Sequence, residues 1–336
     1  MQFYGTSPLR RSGYSAIRAT ISRMKLSVMM VTHNHERFIA QALDSILAQR
    51  VNFDYEIVVA EDCSTDSTRE ILMDFHRRYP RRIVPLLRQH NLGVLRNFGS
   101  AITSCAGQYM AFLEGDDYWT CADKLQRQVD FLDTHPDFAI CCHRVRFLEE
   151  TASAQPDLFP SRPAGAYTLE DLLRGNFVMT CSTVLRRNLI PSLPRWFFKM
   201  KLGDWPLFAL VAQHGKIELM DGVMAVYRVH SGSNWSSLPP ATRLRESAKM
   251  LRALDKHLGF QYTKVIRNTI AHPYLELALS ARLNANRTQT GKHLVSCLRN
   301  GGWQLPGNRR PLAGLAAYVL IGSWYKIFSM GIRPIK

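Results

Sequence analysis

Four apolar segments of strand length alternate with amphipathic helices in the first third of this chain, and three of the four stop at a hydroxyl or acidic residue. Leu26-Ser27-Val28-Met29-Met30-Val31-Thr32 is a continuous apolar run suited to a buried strand. After the turn His33-Asn34-His35-Glu36, the residues Phe38, Ile39, Ala42, Leu43, Ile46 and Leu47 recur at helical spacing on one face. Tyr55–Ala60 reads as a second strand ending in Glu61-Asp62. Ser67 with Glu70 three residues on has the form of a capping box, and Ile71, Leu72, Phe75 and Tyr79 supply the face of the helix it opens. Ile83–Leu87 is a third, short strand, Asn91-Leu92-Gly93 breaks the chain, and a helix covers about 94–104. A fourth strand, Tyr109–Leu113, runs into Glu114. Alternation at this pace predicts βαβ units: an α/β, Rossmann-like, mostly parallel sheet flanked by helices. Ligands of such sheets lie beyond the carboxyl ends of the strands, where the strand order switches. Thr32, Asp62, Asp116 and Asp117 all fall at such ends.

The segment Glu114-Gly115-Asp116-Asp117-Tyr118-Trp119 sharpens that expectation. Adjacent carboxylates at the end of a buried strand repel, so one of them binds its proton more tightly unless a cation sits between them. A hard ion such as Mg²⁺ or Mn²⁺ commonly binds through one or two carboxylates plus substrate phosphates. The same residues would also serve as an acidic turn before a helix, with Asp123 near its start.

Val31-Thr32-His33-Asn34, Glu61-Asp62-Cys63-Ser64-Thr65-Asp66, Asn91-Leu92-Gly93 and Glu114-Gly115-Asp116-Asp117 resemble, in order and spacing, the inverting GT-A glycosyltransferases of family 2, over roughly residues 25–235. The resemblance implies a nucleotide-diphospho-sugar lying across the strand ends. Thr32 and Asn34 would line the nucleotide, and Asp62 would accept from a uracil or thymine imide, which favours a UDP-sugar. Asp116 would meet ribose or metal, and Asp117 would bind the divalent ion (Mn²⁺ or Mg²⁺). Arg96, after the Asn-Leu-Gly turn, is a candidate for pairing with phosphate or for a plain exposed helix position. Two positions depart from the family pattern. Cys63 stands where a small residue such as Gly is frequent, and Glu114 replaces the more frequent first Asp of the cluster.

Inverting transfer needs a base to deprotonate the acceptor hydroxyl opposite the leaving diphosphate. Asp204, in Gly203-Asp204-Trp205-Pro206, occupies the family's position for that carboxylate and is the only acid between Asp171 and Glu218. It would equally make a good N-cap for a helix through Ala212. Tyr227-Arg228-Val229-His230 resembles the segment that closes the domain in relatives, where the His can complete the metal shell or touch the diphosphate; its alternative is an ordinary loop histidine satisfied by backbone. Trp119 and Trp235 are candidates for stacking on a sugar face or for plain packing.

Charge divides the chain. Residues 1–23 carry four arginines and no acid, residues 24–240 hold 23 basic and 24 acidic side chains, and residues 241–336 hold 16 basic and 3 acidic. A neutral catalytic domain (24–235) with basic ends predicts an anionic partner. No zinc spacing or RNA-binding aromatic pattern supports nucleic acid, so the expected partner is an anionic membrane surface. Leu312–Tyr325 is uncharged, too short to span a bilayer core of about 20 residues, and suited to an interfacial position within 312–330. Its alternative is a helix packed on protein. Residues 241–300 read as a basic helical appendage after a linker at Ser231–Pro240, and residues 1–23 as a disordered extension, with Met24 a possible start. Seven cysteines without a Cys-x-x-Cys pair fit free thiols in a reducing compartment. The expected setting is cytoplasmic, at the inner face of the cell membrane, with a glycan or lipid-linked acceptor. Two other function classes stay open: a sugar nucleotidyltransferase, although the first turn lacks a Gly-rich basic loop, and an inactive glycan-binding or membrane-tethered module.

Overall fold

A computed structural model of the chain describes residues 24–149, 158–304 and 311–319. The expectation for residues 1–23 and the later part of the uncharged segment lie outside the described residues.

The chain divides into two compact units. The first holds the described residues up to Thr168, with Phe177–Lys199 and Gly203–Ser237. Its strands and helices begin as the apolar pattern predicts: β1 (Leu26–Thr32), α1 (Ile39–Leu47), β2 (Tyr55–Glu61), α2 (Thr68–Arg78), β3 (Ile83–Leu87), α3 (Val94–Ser104) and β4 (Tyr109–Glu114). After them come β5 (Tyr118–Trp119), α4 (Lys124–Thr134), β6 (Phe138–Glu149), β7 (Leu158–Phe159) and β8 (Gly165–Tyr167). Helix α5 (Leu169–Arg174) is followed by β9 (Val184–Arg186), α6 (Asp204–Ala212) and β10 (Lys216–Val229).

The strands form one sheet in the order β3-β2-β1-β4-β9-β6-β10-β5, with β7 beside β6 and β8 beside β10. β1, β2, β3 and β4 are mutually parallel, whereas β9 runs antiparallel to both β4 and β6. The sheet is therefore mixed, with a parallel half that carries the expected motifs. From β1 the chain moves outward through β2 and β3, then returns to place β4 on the other side of β1. That reversal opens the crevice where such folds bind ligands. Register puts Thr32 opposite Glu61 and Val31 opposite Glu114, so the three motif-bearing ends lie side by side.

The core follows from alternation along these strands. Val28, Met30, Ile57, Val59, Ala111 and Leu113 pack against Ile39, Leu43, Ile46, Leu72 and Phe75. Gly107 is required where β4 begins, because a Cβ there would stand 2.4 Å from the Ser27 nitrogen.

Two helix starts differ from the sequence expectation. Ser67 sits at the N-cap of α2, but its side chain makes no cap bond. Asp66 takes that role, its Oδ1 accepting from the Thr68 N–H at 3.0 Å, while the Ser67 N–H donates to Glu36 Oε2 at 3.0 Å. A carboxylate from the β1 turn thus takes an N–H that a local capping box would have used. Asp204 is the first residue of α6 and Gly203 is its N-cap, the Gly203 carbonyl accepting the Leu207 N–H at 3.1 Å.

The second unit comprises Leu169–Asn176, Met200–Leu202 and the described residues from Leu238. It contains α5, α7 (Pro240–His257), α8 (Thr263–Leu283), α9 (Arg287–Arg299) and a helical stretch at 311–319. Met250, Leu251, Leu254, Leu275 and Ala278 are buried, but Leu283, at the end of its helix, is 87% exposed. Leu312 and Leu315 are fully buried against Ala271, Leu275, Ala278, Leu294 and Cys297. The described start of the uncharged segment is thus a packed helix, not a free interfacial one. No described helix is long and apolar enough to cross a membrane.

Candidate active site

The turn between β4 and β5 brings three carboxylates together. Ligand oxygens of Glu114, Asp116 and Asp117 all lie within 4.8 Å of one another. Asp117 is 1% exposed; its Oδ1 accepts the Arg228 N–H at 2.8 Å, and its Oδ2 is buried with no partner among the described residues. Burial, then the neighbouring charges of Asp116 and Glu114, hold the Asp117 carboxyl well above the ordinary carboxylate range. Burial and the charges of Asp116 and Asp204 push Glu114 up to about 8. Asp116 goes the other way. Burial alone would raise it, but a hydrogen bond from His230 and the nearby His35 and His230 rings hold it down.

A buried, unpartnered carboxylate oxygen inside a cluster of three acids fits a hard divalent cation, which takes oxygen ligands and would draw all three groups into their charged form. Glu114, which departs from the family pattern, belongs to that cluster. His230 stands beside that group, its Nε2 3.1 Å from Asp116 Oδ2. His35 approaches the same oxygen at 3.8 Å and holds the other face of the turn. Gly115 is needed between them, since a Cβ there would meet Thr32 Oγ1 at 2.6 Å and His35 Nδ1 at 2.8 Å.

The residues expected at the nucleotide lie at and just beyond the ends of β1 and β2. Thr32 is 3% exposed, and its carbonyl accepts the Asp62 N–H at 3.0 Å. Asn34 adopts a left-handed φ of 55°, and its Oδ1 accepts the Thr65 N–H at 2.8 Å, lacing the two turns together. Asp62 accepts the Leu92 and Gly93 N–H groups at 2.7 and 3.0 Å, so it shapes the Asn91-Leu92-Gly93 turn. Each carboxylate oxygen keeps a second lone pair for a ligand. Cys63 has a φ of 57°, which explains why glycine suits this position and shows that the chain turns there without it. Glu61, fully buried behind Asp62, accepts from the Ser64 N–H and from the Arg69 guanidinium, and Arg69 in turn donates to the Arg88 carbonyl at 2.6 Å. Arg96 is exposed on the first turn of α3, with no bonded partner among the described residues.

Asp204 opens α6 with its carboxylate partly exposed, and Thr180 Oγ1 donates to its Oδ2 at 3.4 Å. Its charge is among those that raise Glu114, which puts it within electrostatic reach of the acid cluster. Trp119 is 4% exposed, donates from Nε1 to the Cys181 carbonyl at 2.8 Å and lies under the Lys124 ammonium at 4.2 Å, which makes it a packing residue. All seven cysteines are free.

Missing from the sequence reading were His35, Glu61, Arg69 and the side-chain role of Arg228. The Tyr-Arg-Val-His segment singled out its histidine alone, yet the arginine two residues earlier touches the acid turn as well.

The sequence profile of glycosyl transferase family 2 matches residues 27–191. An uncharacterized protein of Mycobacterium tuberculosis is 38% identical over 212 residues, which cover 63% of this chain and 61% of the relative's own length. The structure of S. aureus TarS 1-349 in complex with UDP-GlcNAc shares the fold with a TM-score of 0.62 at 17% identity, over 92% of both chains. The mannosyltransferase PcManGT from Pyrobaculum calidifontis, in complex with GDP-Man and Mn²⁺, aligns with a TM-score of 0.51 at 16% identity, over 90% of this chain and 88% of that one. The match to the profile spans the strand ends that carry Thr32, Asp62, Asp116 and Asp117, so residues 27–191 match glycosyl transferase family 2, on a fold shared with TarS.

Proposed function

We propose that the protein transfers a sugar from a nucleotide-diphospho-sugar, most simply a UDP-sugar, to a hydroxyl of a glycan or lipid-linked acceptor with inversion. The observation that carries this reading is the meeting of Glu114, Asp116 and Asp117 with Asp204 near them. One group of acids suits the diphosphate end of a donor, and the other acid stands apart on a helix start. Asp62, with Thr32 and Asn34, supports recognition of the base, the imide N–H of uracil finding a free lone pair on the Asp62 carboxylate. Glu114, Asp116 and Asp117 would hold Mn²⁺ or Mg²⁺, which when bound offsets charge on a departing diphosphate. Asp204, oriented by Thr180, would take the proton of the acceptor hydroxyl as it attacks the anomeric carbon from the opposite face. TarS was seen with UDP-GlcNAc and PcManGT with GDP-Man, so the fold alone leaves the base open and Asp62 is what favours uridine.

The decisive experiment is a panel of nucleotide sugars assayed by thermal shift with and without Mn²⁺, followed by NMR of the product's anomeric configuration. A UDP-sugar should give the largest Mn²⁺-dependent shift and a product of inverted configuration. Retention, or no response to any nucleotide sugar, overturns the reading.

In the same proposal, residues 24–235 are the transferase domain and residues 241–336 bring it to an anionic inner membrane face. The 16 basic against 3 acidic side chains of the latter support this. Because Leu312 and Leu315 are spent on packing, the charge carries the attachment. Co-sedimentation with anionic vesicles should therefore fall steeply with salt, and salt-independent binding would count against it.

A further inference from the structure

Arg228, near the end of β10, is 8% exposed and makes contacts in three directions. Its main-chain N–H holds Asp117 Oδ1 at 2.8 Å. Its guanidinium donates through Nη1 to the Asp116 carbonyl and through Nη2 to Gln41 Oε1 on α1. The same group lies over the Phe38 ring at 4.9 Å and the Tyr118 ring at 4.5 Å. Among the described residues it forms no ion pair with any carboxylate, although the acid turn is beside it.

That pattern is unusual for a buried cation, since an arginine buried without a carboxylate gives up hydration that Coulomb attraction to a partner would restore. Here two donors of a planar fork are used on neutral oxygens from two separate elements, while two rings fix its plane. The effect is geometric. The guanidinium ties the Asp116 carbonyl to helix α1, the main-chain N–H of the same residue holds the Asp117 carboxylate, and His230 two residues on holds the Asp116 carboxylate. With Oδ1 of Asp117 and the Asp116 carbonyl both anchored, the unpartnered Asp117 Oδ2 is left in one orientation within the acid cluster.

We infer that Arg228 is a positioning residue for the cation site, presetting the Glu114–Asp117 turn so that its carboxylates converge before any ligand arrives. The inference rests on the metal reading of the preceding subsection. Groups that orient ligating carboxylates without touching the ion typically alter metal affinity by about 10- to 100-fold.

The test is the Mn²⁺ affinity of the full chain, measured by EPR with Mn²⁺ alone, for wild type, Arg228→Met and Arg228→Lys. Methionine keeps much of the apolar stem and removes the fork; lysine keeps the charge but replaces a two-point clamp by one. Mn²⁺ affinity should fall by about 10-fold or more in Arg228→Met and by less in Arg228→Lys. Transfer by Arg228→Met should show the same loss, relieved in part by raising Mn²⁺. If Arg228→Met does not fold, Gln41→Leu removes only the outer anchor of the fork and should weaken Mn²⁺ several-fold. A folded Arg228→Met, or failing that Gln41→Leu, with wild-type Mn²⁺ affinity overturns the assignment and leaves the metal reading standing. A wild type that binds no Mn²⁺ overturns both.

Discussion

Asp62 Oδ2 accepts the Gly93 N–H at 3.0 Å, which ties the end of β2 to the turn that opens α3. Its Oδ1 accepts the Leu92 N–H at 2.7 Å, so one side chain shapes this turn and, on the proposed reading, also meets the base. Asp62→Asn keeps one acceptor and sets an NH₂ group against a main-chain donor. Stability should drop by about 1–3 kcal/mol, the cost of a buried donor left unpaired. UDP affinity, read by calorimetry, should fall with it. Unchanged UDP binding would remove Asp62 from base recognition and leave it a purely architectural role.

Asp117→Asn should abolish the enhancement of nucleoside diphosphate binding by Mn²⁺. It should also raise the melting temperature of the cation-free protein, because it removes a carboxylate that burial and two acidic neighbours disfavour in charged form. Loss of Mn²⁺ enhancement together with a lower melting temperature would mean that the variant had damaged the fold instead.

The raised pKa of Glu114 gives a signed pH dependence. Its folded value of about 8 exceeds the ordinary 4.5, so the folded chain holds a proton that the unfolded chain has released. This contribution is fully present below pH 4.5 and is lost as pH rises through about 8. Within that window it lowers the stability of the cation-free protein by at most about 1.4 kcal/mol per pH unit. Apparent Mn²⁺ affinity should run the opposite way, rising with pH until about 8 as the competing proton leaves. Urea titrations and Mn²⁺ titrations at pH 6, 7 and 8 check both slopes.

Asp204→Asn should retain donor binding and lose transfer by about 10²-fold or more, the scale of a lost general base. Since Gly203 and not Asp204 is the N-cap of α6, the substitution should leave the helix intact. Donor affinity falling in step with turnover would point to a structural role.

Leu315 is fully buried in the helical unit. Leu315→Ala should destabilise that unit by about 2–5 kcal/mol, detected as faster hydrogen exchange in α8 and α9. Unaltered exchange would return the segment to consideration as a membrane contact.

What the sequence revealed, and what it hid, divides by distance along the chain. β1 to β4 are continuous apolar runs with helices between them, so Thr32, Asp62, Asp116 and Asp117 could be set at strand ends by counting. The partners of Arg228 lie in β1's following helix and in the acid turn over a hundred residues earlier, and no local pattern announces such a bond. Glu61 looked like the last residue of a strand, and only the fold shows it buried against Arg69. The capping box at Ser67 failed for the same reason, a distant Glu36 having claimed the N–H. β9, three residues long, pairs antiparallel with β4 and β6, and with the short antiparallel β5, β7 and β8 it makes the sheet mixed without any signal in composition.

Three carboxylates confined within 4.8 Å also bear on how long the folded chain survives. A ligand that binds only the folded state stabilises it by mass action, about 2.7 kcal/mol at a hundred times its dissociation constant. On the metal reading, a chelator would therefore act on this protein as a mild denaturant, and proteases would find it more readily in cation-starved cells. The ion that sets the enzyme's turnover would then set its abundance too.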